Sequence, residues 1–469
     1  MREADPPVPQ SDILAAVGTR VLGIAATLLA VLLFWMQRYH ILLLFGWRYT
    51  DEDQALLAFI VREVQAVAVH APTFYGQSYG NWIESAVAAL FTPYSASPML
   101  TLPVATQLLY WLPFAALAFL EWRAGRRLVA TVLLWLPCLM PNRADLLYSL
   151  PRAWLPGVSL AMLGATLLRS RPLALGAVMV VSVTLNSAAG LLVLPVMAEA
   201  VLRERRDAAF LRRLALGLAV GGLHPLALRV FDVMHPGWSI HRSPTWDWSA
   251  SRLLEGFSTL GLPIGALLSP TVLIIAVALT AGRLKGPALA ALSIVIMATA
   301  VSMGLEKVWD GQLSVFFPQE RAYLALPYVG TWLLWLALAN MRWTPPTGRR
   351  VAAGGGVALL LLVSVLITRE TARPELVRAE LGPSGSSTVR PHKVVELLHL
   401  CSVIEAEVLE KRARWVVFRD DRTAAYACGA QWYGVRETVF PYYERRQWLL
   451  ARMAADYKPA ESVWHPPLP

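Results

Sequence analysis

The sequence predicts a polytopic α-helical membrane protein with about eleven transmembrane helices and a small external α/β domain at its C-terminus. Three observations lead there. Of 469 residues, 56% are hydrophobic and 16% charged, more apolar material than a soluble domain can bury. The apolar residues gather into runs, and the arginines between them cluster in alternate short loops. Beyond about residue 368 the composition becomes that of a water-soluble segment.

Residues 1 to about 12 are polar and Pro-containing, and no small-residue cleavage site follows the first apolar run, which predicts an uncleaved anchor. The first helix is expected from about Ile13 or Val21 to Trp35, with Arg38, Tyr39 and His40 at its far edge, followed by a short run over 41–47. Further runs lie at about 98–120, 128–140, 155–168, 172–186, 188–201, 214–230, 264–281, 287–304, 321–340 and 351–367. Several fall short of the roughly 20 residues of a straight span, which implies tilt or burial among neighbours. The 18 tryptophans suit interfacial belts. The net charge of +10 comes without the aromatic and basic interleaving of a nucleic-acid groove, so no nucleic-acid partner is expected.

Basic clusters at Arg123, Arg126 and Arg127, at Arg169 and Arg171, at Arg203, Arg205, Arg206, Arg212 and Arg213, at Arg283 and Lys285, and at Arg342, Arg349 and Arg350 mark cytoplasmic loops. These arginines are read as topogenic. The N-terminus is then inside, and the first loop, over about 48–97, is outside. Also outside are 142–154, 232–262, 307–320 and everything after about Thr368. The expected division is a membrane module over 1–368, a Gly/Ser/Pro link over 369–390 holding Gly382 to Ser387, and a soluble domain over 391–469. Within that domain a helix is expected over 399–414, with strands at 415–418 and 424–427 around Asp420 and Asp421. Cys401 and Cys428 suit either a disulfide in an oxidising exterior or two buried thiols, while Cys138 lies in a membrane run. The Gly354 to Gly356 triplet has no following Lys and reads as close helix packing.

The stretch from Tyr49 to Glu84 stands apart. It opens with Asp51, Glu52 and Asp53 directly after the first membrane helix. One reading is capping, with Thr50 as N-cap and Asp53 as the acid at N3, ahead of the amphipathic Leu56, Phe59, Ile60, Val64 and Val67. An aromatic turn follows, Pro72, Phe74, Tyr75, Gly76, Gln77, Tyr79 and Gly80, and then Trp82, Ile83 and Glu84 begin a second amphipathic segment. An acidic pair outside the first helix, an amphipathic helix and a P-x-F-Y-G-Q-x-Y loop resemble the first external loop of the GT-C membrane glycosyltransferases. The likeness is narrowest to the bacterial branch related to protein O-mannosyltransferases and the aminoarabinose transferase of lipid A.

That resemblance implies sugar transfer from a polyprenyl-phosphate donor to a lipid, glycan or protein acceptor, on the outer face of a bacterial inner membrane. It implies Asp51 as general base with Glu52 as helper, and Asp145 orienting the acceptor or sharing a divalent cation, Mg or Mn, with Asp51. Gln77, Tyr79 and Glu84 would serve the sugar pocket. Arg143, Arg229 and Arg321 would meet the phosphate. Arg321 lies in PQERAYLALPY, where the family often has an arginine and a tyrosine ahead of a Pro-containing helix; here the order is Arg-Ala-Tyr.

Asn142, Arg143, Asp145, Tyr148 and Arg152 crowd the second external loop, where charges close to lipid mark function or pair with one another. The third loop carries His235, His241, Arg242, Trp246, Asp247, Trp248 and Arg252. Two histidines six apart are no recognised ligand spacing, and the aromatics suit a sugar platform or a lipid interface equally. Two other classes compete: a transporter or flippase of envelope substrates, and a noncatalytic assembly subunit. A transporter predicts acids near the midplane in broken helices repeated in two halves, whereas the acids here sit at the outer surface without an internal repeat.

Overall fold

The computed structural model describes residues 10–69, 71–73, 76–77, 80–139, 148–149, 151–235, 239–240, 245–251, 253–254, 286–309, 312–313, 319–339, 392–411, 415–418, 422–432, 437–439 and 462–465. The runs expected at 264–281 and 351–367, the glycine triplet and the link over 369–390 lie outside them.

Helix α1, Gln10–Ile41, continues past Trp35 and passes directly into a π-helical turn at Leu42–Gly46. Arg38 is therefore no edge residue. It is fully buried, with its guanidinium 5.4 Å from the centroids of both the Phe34 and Tyr110 rings. Beyond the turn come β1 (Tyr49–Thr50), α2 (Glu52–Gln65), β2 (Gly76–Gln77) and α3 (Ile83–Ala89). Helix α4 (Pro98–Arg123) re-enters the bundle, and α5 (Arg127–Trp135) returns, tightening into a 3-10 turn at Leu136–Leu139. The bundle continues with α6 (Leu155–Leu167), α7 (Pro172–Leu185), α8 (Gly190–Arg203), α9 (Ala208–Met234), α10 (Pro287–Gly304) and α11 (Gln319–Ala339).

Among the described residues three helices are long and apolar enough to cross a membrane: Gly23–Gly46, Pro98–Arg123 and Ala208–Met234. The chain is a helical, membrane-embedded protein. Of the shorter apolar helices, α6 is interior. Helix α6, with 13 residues, reaches about 20 Å at 1.5 Å per residue, less than a hydrocarbon core of about 30 Å. Its Leu155, Val158, Ala161, Met162 and Ala165 are all buried. Helices α7 and α9 touch backbone to backbone: a Cβ on Gly176 would lie 2.6 Å from the Leu214 carbonyl, and one on Gly217 would collide with the Leu173 carbonyl. Small residues there permit the close approach that holds helices together in lipid.

Three of the expected cytoplasmic loops, those with Arg126, Arg169 and Arg203, meet at one end of this bundle. Arg126 pairs through two nitrogens with Glu121, whose Oε1 also accepts from Trp335 Nε1 at 2.7 Å. Arg169 stacks over the Trp335 ring and reaches Glu199 at 2.6 Å, and Arg203 pairs with the same Glu199 at 2.9 Å. A purely topogenic reading of Arg126, Arg169 and Arg203 is thus corrected. They are the counter-ions of two buried acids, whose charge would be costly without them.

At the opposite end β7 (His392–Lys393) pairs antiparallel with β1, and Val394 N donates to Arg48 O at 3.0 Å. Helix α12 (Val394–Glu410), β8 (Trp415–Phe418), α13 (Arg422–Gln431), β9 (Glu437–Val439) and β10 (Ser462–His465) follow, the strands forming a parallel sheet in the order β10-β8-β9. A Cys401–Cys428 disulfide ties α12 to α13. The strand expected at 424–427 is helical instead, because the Ala-rich run favours helix and buries Ala424, Ala425 and Ala427 in the cluster it shares with α2. Arg62 on α2 donates from Nε to Ala430 O at 3.3 Å and from its terminal nitrogens to the carbonyls of Pro93, Tyr94 and Ala96.

Candidate functional site

The first acidic residue is delivered by two constraints. The π turn ends α1, and pairing with β7 keeps Tyr49 and Thr50 extended, so α2 starts one residue later than expected. Thr50 is not the cap; Asp51 is. With extended backbone (φ −130°, ψ −175°), it accepts from Gln54 N at Oδ1, 3.1 Å away. Its second oxygen, Oδ2, takes the guanidinium of Arg152, just ahead of α6. Asp51 is buried, and Glu52 and Asp53 sit half-buried in the first turn, where the helix dipole favours them.

Arg152 also lies over the Trp154 ring at 5.4 Å. Between them Ala153 has φ +59°, a left-handed conformation uncommon for a residue with a Cβ. Both of its backbone polar groups are clamped by the first loop. Its N–H donates to Glu84 Oε2 at 3.1 Å, and its carbonyl accepts from Asn81 Nδ2 at 3.0 Å. Asn81 turns its own oxygen to Ile83 N at 3.0 Å, starting α3. Ser85 Oγ donates to Leu57 O at 2.7 Å, docking α3 on α2. Glu84 is fully buried, and burial pushes its carboxyl up to about 8, so it is neutral at pH 7. Among the described residues its Oε1 has no hydrogen-bond partner.

Beside this knot lies a narrow crevice of about 180 Å³. Thr50 and Gln54 flank Asp51 on its wall, Pro151 precedes Arg152, and Met99, Leu102 and Pro103 form an apolar side. The crevice is too tight to admit even a water molecule, so it holds no ligand as it stands.

The expected residues do not all arrive here. Asp51 and Glu84 do, with Glu84 covered where contact with a sugar was expected, and Glu52 is adjacent. Gln77 is placed by its backbone alone, in β2, parallel to β3 (Ser239–Ile240) of the third loop. Tyr79, Arg143 and Asp145 lie outside the described residues, as do His241, Arg242 and Arg252. Arg321 belongs to the first turn of α11, near Leu324, whose carbonyl accepts from Tyr148 Oη at 3.0 Å; its side chain is outside the described atoms. Arg229 is exposed on α9. His235 caps α9 and stacks on Phe231, and β4 (Thr245–Trp248) pairs with β5 (Leu305–Trp309), away from Asp51 in sequence and in contact.

Among the described residues no three His, Cys, Asp or Glu side chains gather around a point suited to a metal ion. Both Asp51 oxygens have partners, Gln54 N on Oδ1 and Arg152 on Oδ2, while Asp145, the second acid expected at a shared divalent cation, lies outside the described residues. Sequence reasoning passed over Asn81, Ala153 and the role of Arg152. The available signal was Arg152 itself, an arginine between two apolar runs that requires a counter-charge. Comparison with protein-family models, with curated proteins and with solved structures finds no match for this chain.

Proposed function

We propose that the chain is a membrane glycosyltransferase of the GT-C kind, moving a sugar from a polyprenyl-phosphate donor to an acceptor hydroxyl at the outer face. The observation that carries this reading is the Asp51–Arg152 pair, where two loops expected outside meet beside an apolar crevice, opposite the arginine-rich end. The disulfide supports an oxidising compartment for the C-terminal unit, which we read as an external α/β domain over 391–469 on a membrane module of about eleven spans.

At rest the guanidinium keeps the carboxylate neutralised and dry. A donor phosphate competes for Arg152, since a bidentate guanidinium binds phosphate as well as carboxylate. Asp51 Oδ2 is then free to accept the proton of the acceptor hydroxyl. The acceptor oxygen attacks the anomeric carbon, the carbon–oxygen bond to phosphate breaks, and the electron pair leaves on polyprenyl phosphate, held by Arg152. Gln77 and Tyr79 contact the sugar in this scheme, Glu52 assists, and Arg143, Arg229 and Arg321 are further phosphate contacts. Asp145 orients the acceptor.

The test is incorporation of label from a panel of polyprenyl-phosphate sugars by the purified protein in membranes. Asp51→Asn retains a cap on α2 and should lower transfer by about 100-fold or more, the scale of a lost general base. Undiminished transfer by this variant refutes the base assignment. No transfer from any donor by folded wild type moves weight to lipid flux across the membrane.

A further inference from the structure

The buried acids of this protein differ in what balances them. Glu121 holds Arg126, and Glu199 holds Arg169 and Arg203. Glu84, equally buried, has a backbone amide as partner of one oxygen and, among the described residues, none on the other. That amide belongs to Ala153, whose left-handed backbone costs a residue with a Cβ stability unless its surroundings hold it. The next residue back is Arg152, on Asp51. Carboxyl, strained residue and ion pair therefore follow one another without a gap.

We propose that Glu84 is a positioning residue: with Asn81 it holds Ala153 in the left-handed conformation and so sets Arg152 against Asp51. The catalytic meaning of this rests on the proposed transferase, but the geometry does not. What is used is an acceptor oxygen at Oε2, and no charge on Glu84 is needed. A neutral carboxyl does this at neutral pH, as burial beside a backbone amide favours.

Three variants of the full chain in lipid nanodiscs separate this from direct contact with substrate. Glu84→Ala removes the acceptor and should lower transfer about fivefold to thirtyfold, the equilibrium weight of one left-handed residue with a Cβ. Glu84→Gln retains an acceptor oxygen and should recover most of that loss. Adding Ala153→Gly to Glu84→Ala should recover it as well, since glycine adopts a positive φ without help. The same three proteins are followed by backbone hydrogen exchange over residues 148–155 and at the Gln54 amide, which needs no turnover. Faster exchange in Glu84→Ala, reversed by either second change, is the expected result. Glu84→Gln as damaging as Glu84→Ala with exchange at the wild-type rate overturns the proposal, because Glu84 then acts through its charge on the substrate. Failure of Ala153→Gly to restore either readout overturns it too. If wild type transfers from no donor, the proposed function falls while exchange alone still decides the positioning role.

Discussion

Asp51 performs two jobs with one carboxylate, and the two oxygens divide them: Oδ1 caps α2 and Oδ2 binds Arg152. Substitution separates the jobs. Asparagine retains the cap, whereas alanine loses it as well, at about 1 kcal/mol. Glu84 adds a pH dependence whose sign follows from its raised pKa. A carboxyl that ordinarily titrates at 4.5 and here near 8 binds its proton more tightly when folded. Its contribution is complete below about pH 4.5 and is lost as pH rises towards 8. The charged groups on the elements packed around α3 are Asp51 at the cap of α2, Glu52, Asp53, Arg62 and Glu63 on α2, Glu121 and Arg123 at the far end of α4, and Arg152, whereas the hydrogen bond to Glu84 comes from the Ala153 amide. Thermal unfolding of the wild type should therefore show a midpoint falling between about pH 5 and 8. Glu84→Gln should flatten that fall; an unchanged slope in the variant would show that other groups produce it.

At the scale of elements, α2 is the part on which both halves of the site depend. One side carries α3, and another carries α13, through Phe59 against Tyr426 and Arg62 on Ala430. Periodicity in Leu56, Phe59 and Ile60 is enough to predict this helix. The identity of its cap is not, because Thr50 and Asp51 are both good caps and the choice falls to pairing with β7, more than 300 residues away in sequence. Alanine-rich α13 illustrates the same limit: a four-residue run short enough for a strand became helix once it had α2 to pack against. The disulfide between α12 and α13 closes a loop with a sequence separation of 27, for which chain entropy gives about 3.5 kcal/mol. Cys401→Ser with Cys428→Ser should lower the unfolding midpoint and speed hydrogen exchange in α2 as well as in α13. Loosening confined to α12 and α13 would mean that α2 does not need the C-terminal unit.

Across the whole molecule, charge is sorted to two ends. Arginines with buried acids stitch one end together, and the loops expected outside make the other with the C-terminal unit. Single cysteines test the orientation directly, since Cys138 is buried and the other two cysteines are bonded. A membrane-impermeant thiol reagent added from outside should label Val395→Cys, 73% exposed on α12, and leave Arg206→Cys at the exposed α8–α9 turn untouched. The reverse pattern would invert the topology. Hydropathy, arginine placement and helical period, all local properties, were sufficient for the class of protein, the positions of α2, α4 and α9, and the acidic start of the first loop. Tertiary structure alone decided that Asp51 is the cap, that Arg152 is its partner across 101 positions, and that Glu84 is covered and holds Ala153. A buried charge or a left-handed alanine exists only where distant segments meet to balance it, and no local pattern records which segments those are.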